Sequence, residues 1–281
     1  MRIARYELGG KVSYGLVEGD SIQPIEGDLF GDRKPVGDKV ALSSVKLLSP
    51  VTPNIMLAVA LNYPSHLSAP PSPRPELFVK PNNTLANPDD EIPMPDGCER
   101  VDYEGEMVAV IGKTCSHVTT EDALNYVFGY TIGNDVSARD WQRADHQWFR
   151  GKGCDKFGPL GPWIETDIDP WNTDLSTKLN GEEVQRCNTS EMINSVAETI
   201  SFISRVCTLK PGDVIFTGTS GRPQALKPGD VVEVVVDGIG SLKNTFIAEP
   251  NPMRWVDTRP DPRPAKEPSA PAPTIDQQAR L

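Results

Sequence analysis

Glu104 and Glu106 carry the clearest signal for chemistry in this sequence. They lie in Asp102-Tyr103-Glu104-Gly105-Glu106-Met107-Val108-Ala109-Val110-Ile111-Gly112, whose apolar half reads as a β-strand. Side chains alternate faces along a strand, so the two carboxylates share one side. Buried without partners they would repel each other and destabilise the fold. A hard divalent cation between them removes both problems, because Mg²⁺, Mn²⁺ and Ca²⁺ prefer oxygen ligands. A third carboxylate, Asp135, follows the strand-like run Gly129-Tyr130-Thr131-Ile132-Gly133-Asn134. The expectation is three carboxylates around one metal, with positions left open for substrate. The plainer reading is an exposed edge-strand face, with Asp135 as a turn residue. Against it, Met107 to Ile111 is apolar on both faces, as in a central strand.

Three other segments could supply chemistry. His66, one of three histidines, closes Asn62-Tyr63-Pro64-Ser65-His66 after a buried-strand candidate. It reads either as a general base or as an ordinary surface-loop histidine. The stretch from Gly151 to Trp163 is dense in glycine and proline, and can fix the backbone so that Lys152 is aimed at an anionic group. Thr217-Gly218-Thr219-Ser220-Gly221 closes a strand and could hold a carboxylate through backbone N–H groups. It is not a phosphate-binding loop, since no Gly-Lys-Ser/Thr follows. There is no nucleophile elbow and no dinucleotide fingerprint.

The elements that must position these residues are mostly strands. Arg2 to Tyr6 and Ser13 to Val17 predict a hairpin around Gly9-Gly10, within a small β-rich unit spanning 1–50. The main domain, 51–249, opens with the buried strand candidate Ile55 to Leu61. A Pro-rich loop from Pro64 to Pro75 follows, suited to an active-site loop or lid. Then comes a short strand, Leu77-Phe78-Val79-Lys80-Pro81. One helix is expected from a cap at Thr119 or Thr120 to about Phe128. A second is expected from a cap at Ser190 through Val206. Leu-Lys-Pro-Gly-Asp occurs twice, at 209–213 and 226–230, as turns entering strands. Gly238-Ile239-Gly240 is a further tight turn. Residues 250–281 read as a Pro/Ala-rich tail, with Trp255 as an anchor at its start.

Composition narrows the class. A 38% hydrophobic and 24% charged chain of 281 residues is globular in type and long enough for a sizeable core. Its net charge of −11 and lack of a basic cluster argue against nucleic acid. No apolar run approaches the ~20 residues needed to span a bilayer. The N-terminal residues carry no apolar signal region, and the reading is a cytoplasmic protein. The five cysteines are scattered without a Cys-x-x-Cys pair, which speaks for reduced thiols rather than a zinc site.

Taken together and in order, several of these segments resemble the fumarylacetoacetate hydrolase (FAH) family. They are Asn62-Tyr63 with His66, Leu77 to Pro81, Asp102 to Glu106, Asn134 to Gln142, Lys152, Phe157 to Trp163, Leu179-Asn180-Gly181 and Thr217-Gly218-Thr219, over 55 to about 246. The resemblance implies an α+β, β-rich fold with a barrel-like core, a homodimer, and a Mg²⁺ or Mn²⁺ site, with Ca²⁺ as a third option. It makes Glu104, Glu106 and Asp135 the metal ligands. It makes His66 and Lys152 catalytic, and Tyr63, Lys152 and Thr219 substrate contacts. The substrate it implies is a small carboxylate, a 2-oxo acid or 1,3-dicarbonyl compound cleaved at a C–C bond by hydrolysis. One departure bears on this. The family's hydrolytic and decarboxylating members carry a glutamate three residues after the histidine, where this chain has Ala69. Glu76 or another carboxylate would have to substitute. Otherwise isomerisation or decarboxylation through a metal-stabilised enolate is the alternative. A non-catalytic binding protein on the same fold is a further one. Arg139 is read as structural, paired with Asp140 or another carboxylate.

Overall fold

A computed structural model describes residues 1–252. Trp255 and nearly all of the expected tail lie outside the described residues. The fold is strand-rich α+β, built on two large mixed sheets. The main path of the larger one runs Arg33–Pro35, Ser21–Gly27, Lys11–Glu18, Arg2–Leu8, Gly158–Glu165, Val127–Asn134, Gly105–Ile111, Val214–Phe216, Met56–Ala60, Glu76–Lys80. The second runs Glu91–Met94, Gly240–Ala248, Val231–Val236, Asp174–Leu179, Glu182–Asn188.

The N-terminal hairpin forms around Gly9 and Gly10, whose φ values of +58° and +79° suit the two-residue turn that strand twist prefers. Its first strand joins the larger sheet through Arg2–Glu165 and Ile3–Ile164. Gly105–Ile111 is a central strand, buried at all seven positions. It lies between the antiparallel partners Val127–Asn134 and Val214–Phe216. Met107, Ala109 and Ile111 pack into the core shared with the second sheet, alongside Leu175, Val234 and Phe246. Val108 and Val110 face the opposite core, with Met56, Ala58, Ile164 and Phe216. Glu106 leaves the strand on the face of Val108, and Glu104 immediately precedes the strand.

Both helix expectations need correction. Thr119 does cap a helix, its side chain accepting from the Asp122 N–H. That helix is only Thr120–Ala123, with a 3₁₀ turn at Leu124–Tyr126. Phe128 already belongs to the Val127–Asn134 strand, because the β-prone run that follows pairs with Gly105–Ile111. Ser190 caps nothing. It sits in a 3₁₀ turn, Thr189–Glu191, capped by Asn188. The α-helix is Val196–Ser204, started by a reciprocal capping box between Ser195 and Glu198. Ser195→Ala is expected to cost about 1 kcal/mol of unfolding free energy in denaturant titration, since its hydroxyl accepts the Glu198 N–H at 3.0 Å.

The two Leu-Lys-Pro-Gly-Asp turns close alike. Asp213 and Asp230 each accept the backbone N–H of the preceding lysine, Lys210 or Lys227, at 2.7 Å.

Candidate active site

Strand register brings the three carboxylates together. Gly105 pairs with Asn134, so Glu104 and Asp135 become neighbours across the two strands. The Asn134 side chain accepts the Glu104 N–H, and the Glu104 carbonyl accepts the Asp135 N–H, both at 2.8 Å. Ligand atoms of Glu104, Glu106 and Asp135 all lie within 4.8 Å of one another, and all three residues are buried. Glu106 accepts the Gly218 N–H at 2.6 Å. Gly218 has φ +98°, and a Cβ there would come within 2.7 Å of Asn62 Cβ, so only glycine fits. The Thr217–Gly221 loop therefore does hold a carboxylate by backbone N–H, but it is the chain's own Glu106.

Cations are distributed unevenly over this cluster. Lys152 ends the short helix Phe149–Lys152, and its Nζ lies 2.5 Å from both Glu104 and Asp135. Lys80, fully buried, donates to Asp135 at 2.6 Å and to the Lys152 carbonyl at 2.8 Å. Arg139 bridges Asp102 at 2.9 Å and Glu104 at 2.5 Å. It does not pair with Asp140, which instead accepts from Cys98 and the backbone N–H groups of Glu99 and Arg100. Glu106 has no ion-pair partner among the described residues.

Proton affinities follow this pattern. Burial would raise Glu104, but Lys152, Arg139 and His66 outweigh it and hold that carboxyl below its usual range. Burial, then Asp135 and Glu104, push Glu106 well above the usual range, against the Gly218 N–H and Lys152. One buried carboxylate without a cation, facing two others, fits a divalent metal with oxygen donors. Removing Lys80 would strand Asp135 in the core. Lys80→Met is expected to destabilise by about 3–5 kcal/mol, read by chemical denaturation.

A cavity of about 440 Å³ opens beside the triad, a size suited to a small metabolite. His66, Lys152 and Thr219 line it together with the three carboxylates. The Thr219 hydroxyl donates to the Gly105 carbonyl at 3.0 Å, so toward the cavity it offers lone pairs. Tyr63 is not in the lining. It is 1% exposed in the main core, and burial, then Cys187 and Glu106, raise its phenol. The turn responsible begins at Leu61, whose φ of +56° is unusual for a bulky residue. Asn62 then turns inward and donates to the Thr217 carbonyl at 2.7 Å.

His66 closes a 3₁₀ turn, Pro64–His66. Its Nδ1 lies 2.6 Å from the Gly221 carbonyl. A carbonyl only accepts, so Nδ1 carries the hydrogen and Nε2 is the nitrogen facing the triad. Nε2 is 3.5 Å from Glu104. Glu76 does not substitute for the glutamate absent at Ala69. It is exposed at the start of the edge strand Glu76–Lys80 and makes no hydrogen bond to His66. A backbone carbonyl orients the imidazole instead. Ser65 secures that carbonyl's residue by accepting the Gly221 N–H at 3.0 Å.

Two contributors lay outside the site reading of the sequence. Lys80 follows the apolar run Leu77-Phe78-Val79, and a lysine closing such a strand was the available signal. Asp102 extends the alternation of Glu104 and Glu106 by one more step. It accepts a two-pronged contact from Arg100, at 2.8 and 3.0 Å, as well as Arg139. All five cysteines are unpaired, and no described helix is long and apolar enough to cross a membrane.

Comparison with known proteins agrees with this geometry. The family model described as fumarylacetoacetate (FAA) hydrolase C-terminal matches residues 56–247, and one described as Rv2993c-like, N-terminal, matches 1–50. The structure of 5-carboxymethyl-2-hydroxymuconate delta-isomerase from Mycobacterium smegmatis superposes with a TM-score of 0.84 at 40% identity, covering 89% of this chain and all of that one. Maleylpyruvate hydrolase from Sphingobium sp. SYK-6, solved with manganese(II) and pyruvate, gives 0.76 at 30% identity, covering 89% and 100%. Oxaloacetate tautomerase fahd2, mitochondrial, of Xenopus laevis is 38% identical over 221 residues, 73% of this chain and 69% of that protein. These relatives are enzymes of different reaction types, sharing the family and not one substrate. With the family model matched over residues 56–247, which hold the entire carboxylate cluster, the chain belongs to the fumarylacetoacetate hydrolase family.

Proposed function

We propose that this protein is a divalent-metal-dependent enzyme that moves a proton between carbon and oxygen in a small 2-oxo acid, a keto–enol isomerase. Glu104, Glu106 and Asp135 would hold the cation, Mg²⁺ or Mn²⁺. Bound there, it would supply Lewis-acid stabilisation of negative charge on the substrate's oxygens. Lys152 places a second positive charge beside the same carboxylates. His66 Nε2 serves as the base and acid at carbon. In the enol-to-keto direction the hydroxyl proton leaves oxygen and carbon gains one, so no water is consumed.

The observation that carries this reading is the way His66 is held. The Gly221 carbonyl fixes its tautomer and aim, and among the described residues no carboxylate hydrogen-bonds Nδ1. An orienting carbonyl suffices for removing an already acidified carbon-bound proton. Activating water for C–C cleavage asks more of the base. Hydrolysis of an acylpyruvate-like substrate is the second reading, favoured by the same Nε2 facing a cavity open to water. A homodimer in the cytoplasm belongs to the same proposal.

The test is a substrate panel with and without Mg²⁺ or Mn²⁺, followed by ultraviolet absorbance and product analysis. It would hold enol and keto oxaloacetate, a 2-hydroxymuconate-type dienol and acylpyruvates. Metal-dependent enol loss without cleavage is the expected result. Acylpyruvate cleavage at comparable rates would replace the isomerase reading with the hydrolase one.

A further inference from the structure

Gln185 is a polar side chain at a position that strand alternation gives to the core. It belongs to Glu182–Asn188, the edge strand of the second sheet, where Gln185 and Cys187 face inward and Arg186 is exposed. It does not line the cavity. Its Nε2 donates to the Ser220 carbonyl at 2.5 Å and lies 3.4 Å from the Thr219 hydroxyl. A carbonyl only accepts, so the end of the amide at Ser220 is the nitrogen. Oε1, at the other end, is buried without a hydrogen-bond partner among the described residues. The same holds for the hydroxyl of Thr177, which pairs with Gln185 on the neighbouring strand. Leaving a buried acceptor unpaired costs stability. An apolar side chain of equal length would fill this position without that cost, and would lack only the donor that reaches Ser220.

What that donor holds is a single peptide unit. The Ser220 carbonyl and the Gly221 N–H share one plane. Gln185 donates to its oxygen, and Ser65 accepts its N–H at 3.0 Å. The next carbonyl, that of Gly221, is the one 2.6 Å from His66 Nδ1. Gly221 has φ +65° and open space where a Cβ would stand. A glycine so placed turns freely unless its flanking peptide is held. The first half of the loop has separate ties. The Thr217 hydroxyl donates to the Met107 carbonyl at 2.8 Å, the Thr219 hydroxyl to that of Gly105, and the Gly218 N–H to Glu106. Gln185 thus bears on the His66 end of the loop, with the Glu106 end secured independently.

We infer that Gln185 is a positioning residue for His66. By clamping the Ser220–Gly221 peptide opposite Ser65, it aims the Gly221 carbonyl and so keeps His66 in the tautomer whose Nε2 is free to take a proton. This rests on the reading of His66 as the acid–base group.

The experiment reads the His66 tautomer directly. Long-range proton–nitrogen NMR of the full chain, loaded with Mg²⁺ and carrying isotope-labelled histidine, separates Nδ1–H from Nε2–H at alkaline pH. The chain has three histidines, and comparison with His66→Gln identifies the relevant signals. Wild type, Gln185→Met, Gln185→Glu and Thr177→Val are compared, with melting curves to establish that each is folded. Methionine keeps the length without a donor, and an ionised glutamate keeps the shape without one. Thr177→Val removes the other unpaired oxygen of the same buried patch and leaves Ser220 untouched. The expected result is a single Nδ1–H tautomer in wild type and Thr177→Val, and a mixture in both Gln185 variants. In those two, kcat for enol-to-keto conversion should fall about 10²-fold, the scale of loss when a reacting group is misplaced. Their Mn²⁺-induced gain in melting temperature should match that of wild type. A Gln185→Met protein with the wild-type tautomer and kcat overturns the proposal. Equal losses in Thr177→Val overturn it too, since the patch would then be merely structural. If neither Gln185 variant folds, wild type still decides: Gln185 side-chain amide protons that exchange with water as fast as those of free glutamine overturn the clamp. A tautomer lost in the Gln185 variants, in a protein whose wild type turns over none of the acids, would support the clamp and sink the isomerase reading.

Discussion

Glu106→Gln is expected to lower turnover by about 10³-fold or more while making the metal-free protein more stable at neutral pH. Glu106 is buried, faces two carboxylates and has no ion-pair partner among the described residues. Its folded proton affinity therefore exceeds its unfolded one. A raised carboxyl stabilises the fold below its unfolded pKa, and that contribution is lost as pH rises through the raised folded value. The metal-free wild type should thus lose stability across that window, and Glu106→Gln should lose less. Metal reverses the order. At about a hundredfold excess over Kd, binding to the native state adds about 2.7 kcal/mol, which only the wild type can gain. Melting curves with a chelator and with Mn²⁺, at several pH values, read both effects. A variant that still gains thermal stability from Mn²⁺ as the wild type does would remove Glu106 from the ligand set.

The second large effect is expected at His66. His66→Gln removes the titrating imidazole while keeping a polar side chain of similar length. Turnover should fall about 10²–10⁴-fold, the usual contribution of one positioned acid–base group. The loss should be in kcat, with Mn²⁺-induced stabilisation unchanged, because His66 lines the cavity without belonging to the triad. That separates it from Glu106→Gln, which should lose both. An active His66→Gln protein would assign proton transfer to another group, with Lys152 next in line.

How far these residues could be read from sequence depended on how local their partners are. Glu104 and Glu106 follow from strand alternation alone, and Asp135 from its place after a strand. The hairpin at Gly9-Gly10 is equally local. The orienting group for His66 is a backbone carbonyl 155 positions away, and side-chain type carries no trace of it. The resemblance makes Tyr63 a substrate contact, but its side chain is buried in the core while His66 lines the cavity, a difference in direction no residue type announces. Phe128 continued a helical pattern until the pairing of its neighbours Val127 and Gly129 with the central strand prevailed. The true cap of the last helix was visible as Ser195 with Glu198, but Ser190 offered a nearer polar start. Lys80 and Arg139 show the general limit. A buried cation is recognisable only with its carboxylates, and those lie 55 and 35 residues away.

The central strand Gly105–Ile111 has one neighbour at Val127–Asn134 and the other at Val214–Phe216. Gly218, which holds Glu106, lies just past the latter and 112 residues downstream of it. During synthesis, a nascent chain therefore carries this apolar strand with one open edge until well past residue 200. Unpaired edges of that kind invite association with other chains. The Gly218 support of Glu106 is consequently among the last parts of the carboxylate cluster to be completed, so that side chain is held in place only after most of the domain has been made.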